Sequence, residues 1–136
     1  MATIDTASCD YAIKQVKSRK SRYCTFRVRH DNNSIRVVAD IISAPNDTYN
    51  ILINSLGDTQ PSYILYDYTC KQNDGRISET IYLIYYCPDN TSQNDRLLYA
   101  SSKGTLVNHL SGIRLIDVSE PDDIVELLHH ELACSK

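Results

Sequence analysis

Apolar and polar positions change period several times along the chain, and each change marks an element. Ala12, Ile13 and Val16 recur at helical spacing and predict a helix over residues 7–19, with Ser8 or Asp10 as its cap. From residue 22 to 30 the period drops to two. Cys24, Phe26 and Val28 alternate with Tyr23, Thr25, Arg27 and Arg29, the pattern of a half-buried strand. The turn cluster Asp31-Asn32-Asn33-Ser34 separates it from a second strand, Ile35 to Ile42, so a hairpin is expected. Asn46 or Asp47 can cap a short helix that carries Tyr49, Leu52, Ile53 and Leu56 on its apolar side and ends at Gly57.

Two β-rich runs follow, Tyr63 to Cys70 and Ile77 to Cys87, joined by the hairpin signal Gln72-Asn73-Asp74-Gly75. Pro88 and Asp89 stop the second run. Residues 93–111 predict a long helix closed by Gly112, and Arg114 to Val118 a fifth short strand. Glu120-Pro121-Asp122-Asp123 opens a last helix through about Leu132, because proline and acids suit a first turn. The predicted order is α-β-β-α-β-β-α-β-α. Residues 81–87 look buried on both sides, so helices are expected on both faces of the sheet.

Composition narrows the function classes. A chain of 136 residues is about one domain, here taken as 1–136 with residues 1–6 a flexible N-terminus and 133–136 a flexible tail. A net charge of −3 argues against a nucleic-acid partner, although a basic face can still sit on an acidic whole. The five cysteines are odd in number and form no CxxC, which argues for reduced thiols and a cytoplasmic setting. No apolar run is long enough to span a membrane, so an integral membrane protein is not expected.

Catalytic and metal-binding patterns are not found. His30, His109, His129 and His130 stand at no metal-ligand spacing with Cys, Asp or Glu, and neither a nucleophile elbow nor a phosphate loop is present. The expectation is a binding module with no cofactor, not an enzyme. The basic stretch Lys14, Lys17, Arg19, Lys20 and Arg22 fits a solvated helix end and a binding role equally well.

The informative segment is 87–112. Arg96 and Lys103 lie seven residues apart, within about 20° of one helix face. Leu97 adjoins Arg96, and the small residues Ser101 and Ser102 would let a partner approach Lys103 closely. A leucine flanked by cations on an exposed helix suits insertion into an apolar cleft with an acidic rim. Spacing alone favours the plainer reading, with Leu97 and Leu98 both in the core and the two cations solvated.

Asp95-Arg96-Leu97-Leu98-Tyr99-Ala100-Ser101-Ser102-Lys103 shifts that balance, because it resembles the signature helix of the ADF/cofilin family, whose basic residue and apolar pair precede YASSK. Tyr66-Asp67-Tyr68 resembles that family's Y-D-F/Y strand, Cys87-Pro88-Asp89-Asn90 its S-P-D-T turn, and Lys20-Ser21-Arg22-Tyr23 its first helix-to-strand junction. The likeness spans nearly the whole chain. It implies an α/β (α+β) fold: a single ADF-homology, gelsolin-like domain with a central mixed five- or six-stranded sheet flanked by helices. It also implies a cytoskeletal, cytoplasmic protein, a monomer itself, that binds monomeric actin and promotes filament disassembly and turnover. Arg96, Leu97, Ser102 and Lys103 then belong to the monomer-binding surface, joined by Thr3 at the N-terminus, which stands where the family has a regulatory phosphoserine. Phosphoinositide binding is a further family expectation, for which the basic stretch is permissive.

Departures from the family pattern bear on the filament. The family's filament-side contacts use basic residues on the hairpin and last helix. Here the hairpin offers Arg76 and no lysine in Ile77-Ser78-Glu79-Thr80; on the last helix Glu126 matches, but Leu127 and His130 replace common arginines. Filament-side binding through Arg76, Glu126 and His130, and with it severing, is therefore expected to be weakened. Gly104 also replaces the acid usual after the signature lysine. A rival resemblance exists within the fold: Asp74-Gly75-Arg76-Ile77-Ser78 and Leu115-Ile116-Asp117-Val118 resemble glia maturation factor, a binder of the actin-related-protein branching complex. YASSK and the Y-D and P-D pairs favour the cofilin type.

Overall fold

The computed structural model describes residues 2–31, 34–71, 74–111 and 113–128. Ten elements run in the order β1 (Ala2–Ile4), α1 (Thr6–Lys17), β2 (Tyr23–Asp31), β3 (Ser34–Ile42), α2 (Tyr49–Ser55), β4 (Ser62–Lys71), β5 (Ile77–Tyr86), α3 (Gln93–Leu110), β6 (Arg114–Val118) and α4 (Pro121–Leu128). The strands form one six-stranded sheet in the order β1-β3-β2-β4-β5-β6. The outer pairs β1/β3 and β5/β6 are parallel; the inner pairs are antiparallel. This is the mixed sheet that the sequence led one to expect, in its six-stranded form.

Alternation along the central strands divides two cores between the sheet faces. Tyr63 and Leu65 of β4, with Leu83 and Tyr85 of β5, face α1 and α3, where Cys9, Ala12, Val16, Tyr99, Leu106 and Leu110 meet them. Ile64, Tyr66 and Tyr68, with Ile84 and Tyr86, face α2 and α4, where Leu52, Ile124 and Leu128 complete the second core. Paired residues of neighbouring strands share a face, so Tyr23 and Tyr66 stack with ring centroids 5.9 Å apart. Covering both faces with helices lets β4 and β5 bury side chains on both sides.

The sheet and its ends differ from the sequence reading in several places. Residues 1–6 were expected to be a flexible lead, yet Ala2–Ile4 is an edge strand in parallel register with Ile35–Val37, and the Asp5 N–H donates to the Val37 carbonyl at 2.9 Å. Three residues are too few to show a period of two, and Ile4 packs against the core beside Ile35. The cap of α1 is Asp5, earlier than Ser8 or Asp10; the Ser8 hydroxyl instead donates to the Asp5 carboxylate at 2.6 Å. The cap of α2 is Thr48, because the Asp47 carboxylate is taken by the Ala44 N–H at 3.0 Å. Gly75 adopts φ 90 in the β4–β5 turn, a backbone state that favours glycine there. Gly112, the extension of the last helix toward Leu132 and the tail 133–136 lie outside the described residues.

Candidate functional site

Helix α3 starts where the Ser92 hydroxyl accepts the Asp95 N–H at 3.2 Å, leaving Asp95 in the first turn to complement the helix dipole. Its buried residues are Tyr99, Ser102, Leu106 and Leu110, a stripe of three- and four-residue steps. Two residues before Tyr99, Leu97 is about 200° round the helix from it. That rotation turns Leu97 outward, where it is 60% exposed, while Leu98 packs against the core. The sequence pattern allowed both leucines inside; only Leu98 is.

The two cations of α3 are held rather than free. The Arg96 guanidinium reaches back to the turn after β5, donating to the Asp89 carbonyl at 3.1 Å and the Pro88 carbonyl at 3.4 Å, with the Cys87 sulfur at 3.6 Å. The Lys103 ammonium lies 5.3 Å from the Tyr85 ring centroid and 3.6 Å from an Asp117 carboxylate oxygen on β6. Sequence reasoning missed Tyr85, Cys87 and Asp117. Tyr85 and Cys87 sit inside an apolar run, and Asp117 is brought to Lys103 only by the β5/β6 register, which no local pattern encodes.

Ser102 is fully buried, with its hydroxyl donating to the Leu98 carbonyl at 2.8 Å, so its side chain is not presented on the outer face of α3. Small size let it sit close under the helix, and hydropathy gave no sign that it faced inward. Ser101, by contrast, is exposed. Thr3 is exposed on β1, which packs alongside α3, so the fold does bring the N-terminal strand to this helix. A shallow depression lined by His30, Ile35, Asn94, Leu97, Leu98 and Ser101 joins the sheet edge to the start of α3.

Arg76 and Glu126, the described residues expected to serve filament-side binding, lie on other elements than this helix. Arg76 is exposed at the β4–β5 turn, where its Nε donates to the Asp74 carboxylate at 2.7 Å. Glu126 is exposed on α4, and His130 lies outside the described residues. The basic stretch from the last turn of α1 onward is only partly available. Lys14, Lys17 and Lys20 are exposed, Arg19 pairs with Glu79, and Arg22 is buried with Nη1 donating to the Asp67 carbonyl at 3.3 Å.

Among the described residues, burial causes the clearest titration shifts. Burial pushes the Cys9 thiol up to about 11, and burial raises the Cys24 thiol as well, so neither forms a thiolate at neutral pH. Burial also raises the Tyr63, Tyr85 and Tyr99 hydroxyls, whose rings cluster with centroids 5.3 and 5.5 Å from Tyr63. Among the described residues no three His, Cys, Asp or Glu side chains group as a metal site, and no helix is long and apolar enough to cross a membrane.

Comparison with known proteins agrees with this geometry. The family model described as cofilin/tropomyosin-type actin-binding protein matches residues 1–132. Actin-depolymerizing factor 6 of Oryza sativa subsp. japonica is 27% identical over 118 residues, which cover 85% of this chain and 84% of that protein. The solved structure of Plasmodium berghei actin depolymerization factor 2 superposes with a TM-score of 0.79 at 21% identity, covering 94% of this chain and 96% of that one. The glia maturation factor of Caenorhabditis elegans has the same fold, with a TM-score of 0.69 at 23% identity and coverage of 93% and 94%. At such identities the two solved structures speak to the fold alone. The family model and the rice relative favour the depolymerizing-factor type over the glia maturation factor type.

Proposed function

The chain belongs to the family of cofilin/tropomyosin-type actin-binding proteins, and on that premise we propose that it docks on monomeric actin through the outer face of α3. The observation that carries this reading is Leu97, a 60% exposed leucine on a helix whose other leucines are buried or half-buried, with Arg96 and Lys103 together on the neighbouring face. An apolar tip with positive charge beside it fits an apolar cleft with an acidic rim, and burial of one leucine contributes about 1.5–3 kcal/mol. Arg96 and Lys103 lie together on one side of the tip, and Thr3 on β1 borders the same helix. A phosphate on Thr3 would add about −1.5 to −2 charge there and repel an acidic partner.

Filament-side binding is the weaker activity in this reading. The Arg76 side chain is paired with Asp74 two residues away, and residues 77–80 that follow it bring no lysine. The protein then favours monomers, acts as a monomer in the cytoplasm, and promotes filament disassembly and turnover by shifting subunits to the bound pool, with little severing. It does so as a binding module, without catalysis. The exposed Lys14, Lys17 and Lys20 leave room for weak phosphoinositide contact.

A pull-down comparing monomeric actin with the actin-related-protein branching complex tests the choice of partner. Retention of actin supports the proposal; retention of the branching complex without actin overturns it. Cosedimentation at low salt tests the second part, because tight, saturable pelleting with filaments would show a working filament site.

A further inference from the structure

We propose that Asp117 is a built-in competitor at the docking surface, occupying the Lys103 ammonium in the free protein and thereby lowering affinity for the acidic group of actin that Lys103 meets. This rests on the reading of α3 as the docking helix. The parallel β5/β6 register sets Asp117 opposite Tyr85, so the two side chains share the sheet face that α3 crosses. Lys103 comes down on both, 5.3 Å from the Tyr85 centroid and 3.6 Å from Asp117.

Folding does not account for the carboxylate at this position. The Asp117 side chain is 64% exposed, and among the described residues it meets no other cation. An exposed ion pair of this kind contributes little stability. Lys103 is better covered, at 31%, and the Tyr85 ring holds its ammonium in place independently of Asp117. The pair therefore joins a cation that is already positioned to an anion that is free to leave. Asp123 lines the same shallow depression, with Cys87 and Tyr85. Asp117 acts as a specificity-determining residue: only a partner carboxylate that is better desolvated, or better oriented, displaces it from Lys103.

The test is a titration of fluorescently labelled monomeric actin at low ionic strength with the full chain, Asp117→Asn, Lys103→Ala and the double variant. Asp117→Asn is expected to bind about two- to fivefold more tightly, the range an exposed ion pair is worth, with the gain fading as salt rises. Lys103→Ala is expected to bind more weakly, and adding Asp117→Asn to it is expected to change nothing further. Unchanged or weaker binding by Asp117→Asn overturns the proposal while Lys103→Ala still weakens binding. An equal gain in the Lys103→Ala background also overturns it, because Asp117 would then repel actin directly. Wild-type binding by Lys103→Ala removes the role of Lys103 itself, and the proposal with it.

Discussion

The hydroxyl of Tyr99 accepts the backbone N–H of Val28 at 3.2 Å, joining α3 to β2 across 71 positions of sequence. The β2/β4 ladder ends at the Phe26–Tyr63 pair, so beyond it the Val28 N–H needs another acceptor, and the phenol supplies it. Tyr63 completes the link by donating its own hydroxyl to the Tyr99 carbonyl. Because Tyr99 is held inward at this point, Leu97 two residues earlier faces solvent. A contact in the core thus sets which residue the helix offers to a partner.

Tyr99→Phe tests that contact. It keeps the ring but leaves the buried Val28 N–H without its acceptor, which costs about 1–3 kcal/mol. A urea melt is expected to show the loss as a lower midpoint with an unchanged slope. An unaltered midpoint would mean that the hydroxyl contributes nothing to the α3–sheet junction.

Much of this arrangement is legible in the sequence, and the exceptions have physical causes. Tyr63, Ile64, Leu65 and Tyr66 alternate between two cores, and β-rich runs bounded by turn residues announced the strands that carry them. The strand Ala2–Ile4 escaped notice because three residues carry no period and its partner lies over thirty positions away. The burial of Ser102 was not legible because a small polar side chain gives no hydropathy signal; its hydroxyl is satisfied by the Leu98 carbonyl one turn back. Arg96 and Lys103 were found from their spacing and resemblance, but their restraints at Cys87, Asp89, Tyr85 and Asp117 arise from tertiary register, which local patterns do not contain.

Gly104 lies mid-helix in α3 and an added Cβ would meet nothing within 4 Å. Gly104→Ala is therefore expected to stabilise the protein by about 0.5–1 kcal/mol, by restricting the unfolded chain and raising helix propensity. Thermal unfolding checks this, and a fall in the midpoint would show that the helix needs glycine at that position.

Asp67 gives a pH-dependent prediction. Burial pushes its carboxyl above the ordinary value, with Arg19 and Arg22 pulling the other way without cancelling the rise. A carboxyl whose folded pKa is raised favours folding fully only below the unfolded value of about 3.9, and that contribution is lost as pH rises through the folded pKa. Asp67→Asn is thus expected to raise the melting temperature at pH 7, with the gain shrinking as pH falls through the raised folded pKa and gone below about 3.9. A melting temperature lowered at pH 7 would show that the charged form is the stabilising one.

The role of the exposed Leu97 is tested most directly by titrating labelled monomeric actin with the wild type and with Leu97→Asp, folding being checked by circular dichroism. The variant is expected to keep the wild-type spectrum and to lose affinity by at least about tenfold, since a charge replaces the buried leucine in the complex. A correctly folded Leu97→Asp protein that binds monomeric actin as tightly as the wild type would contradict the account.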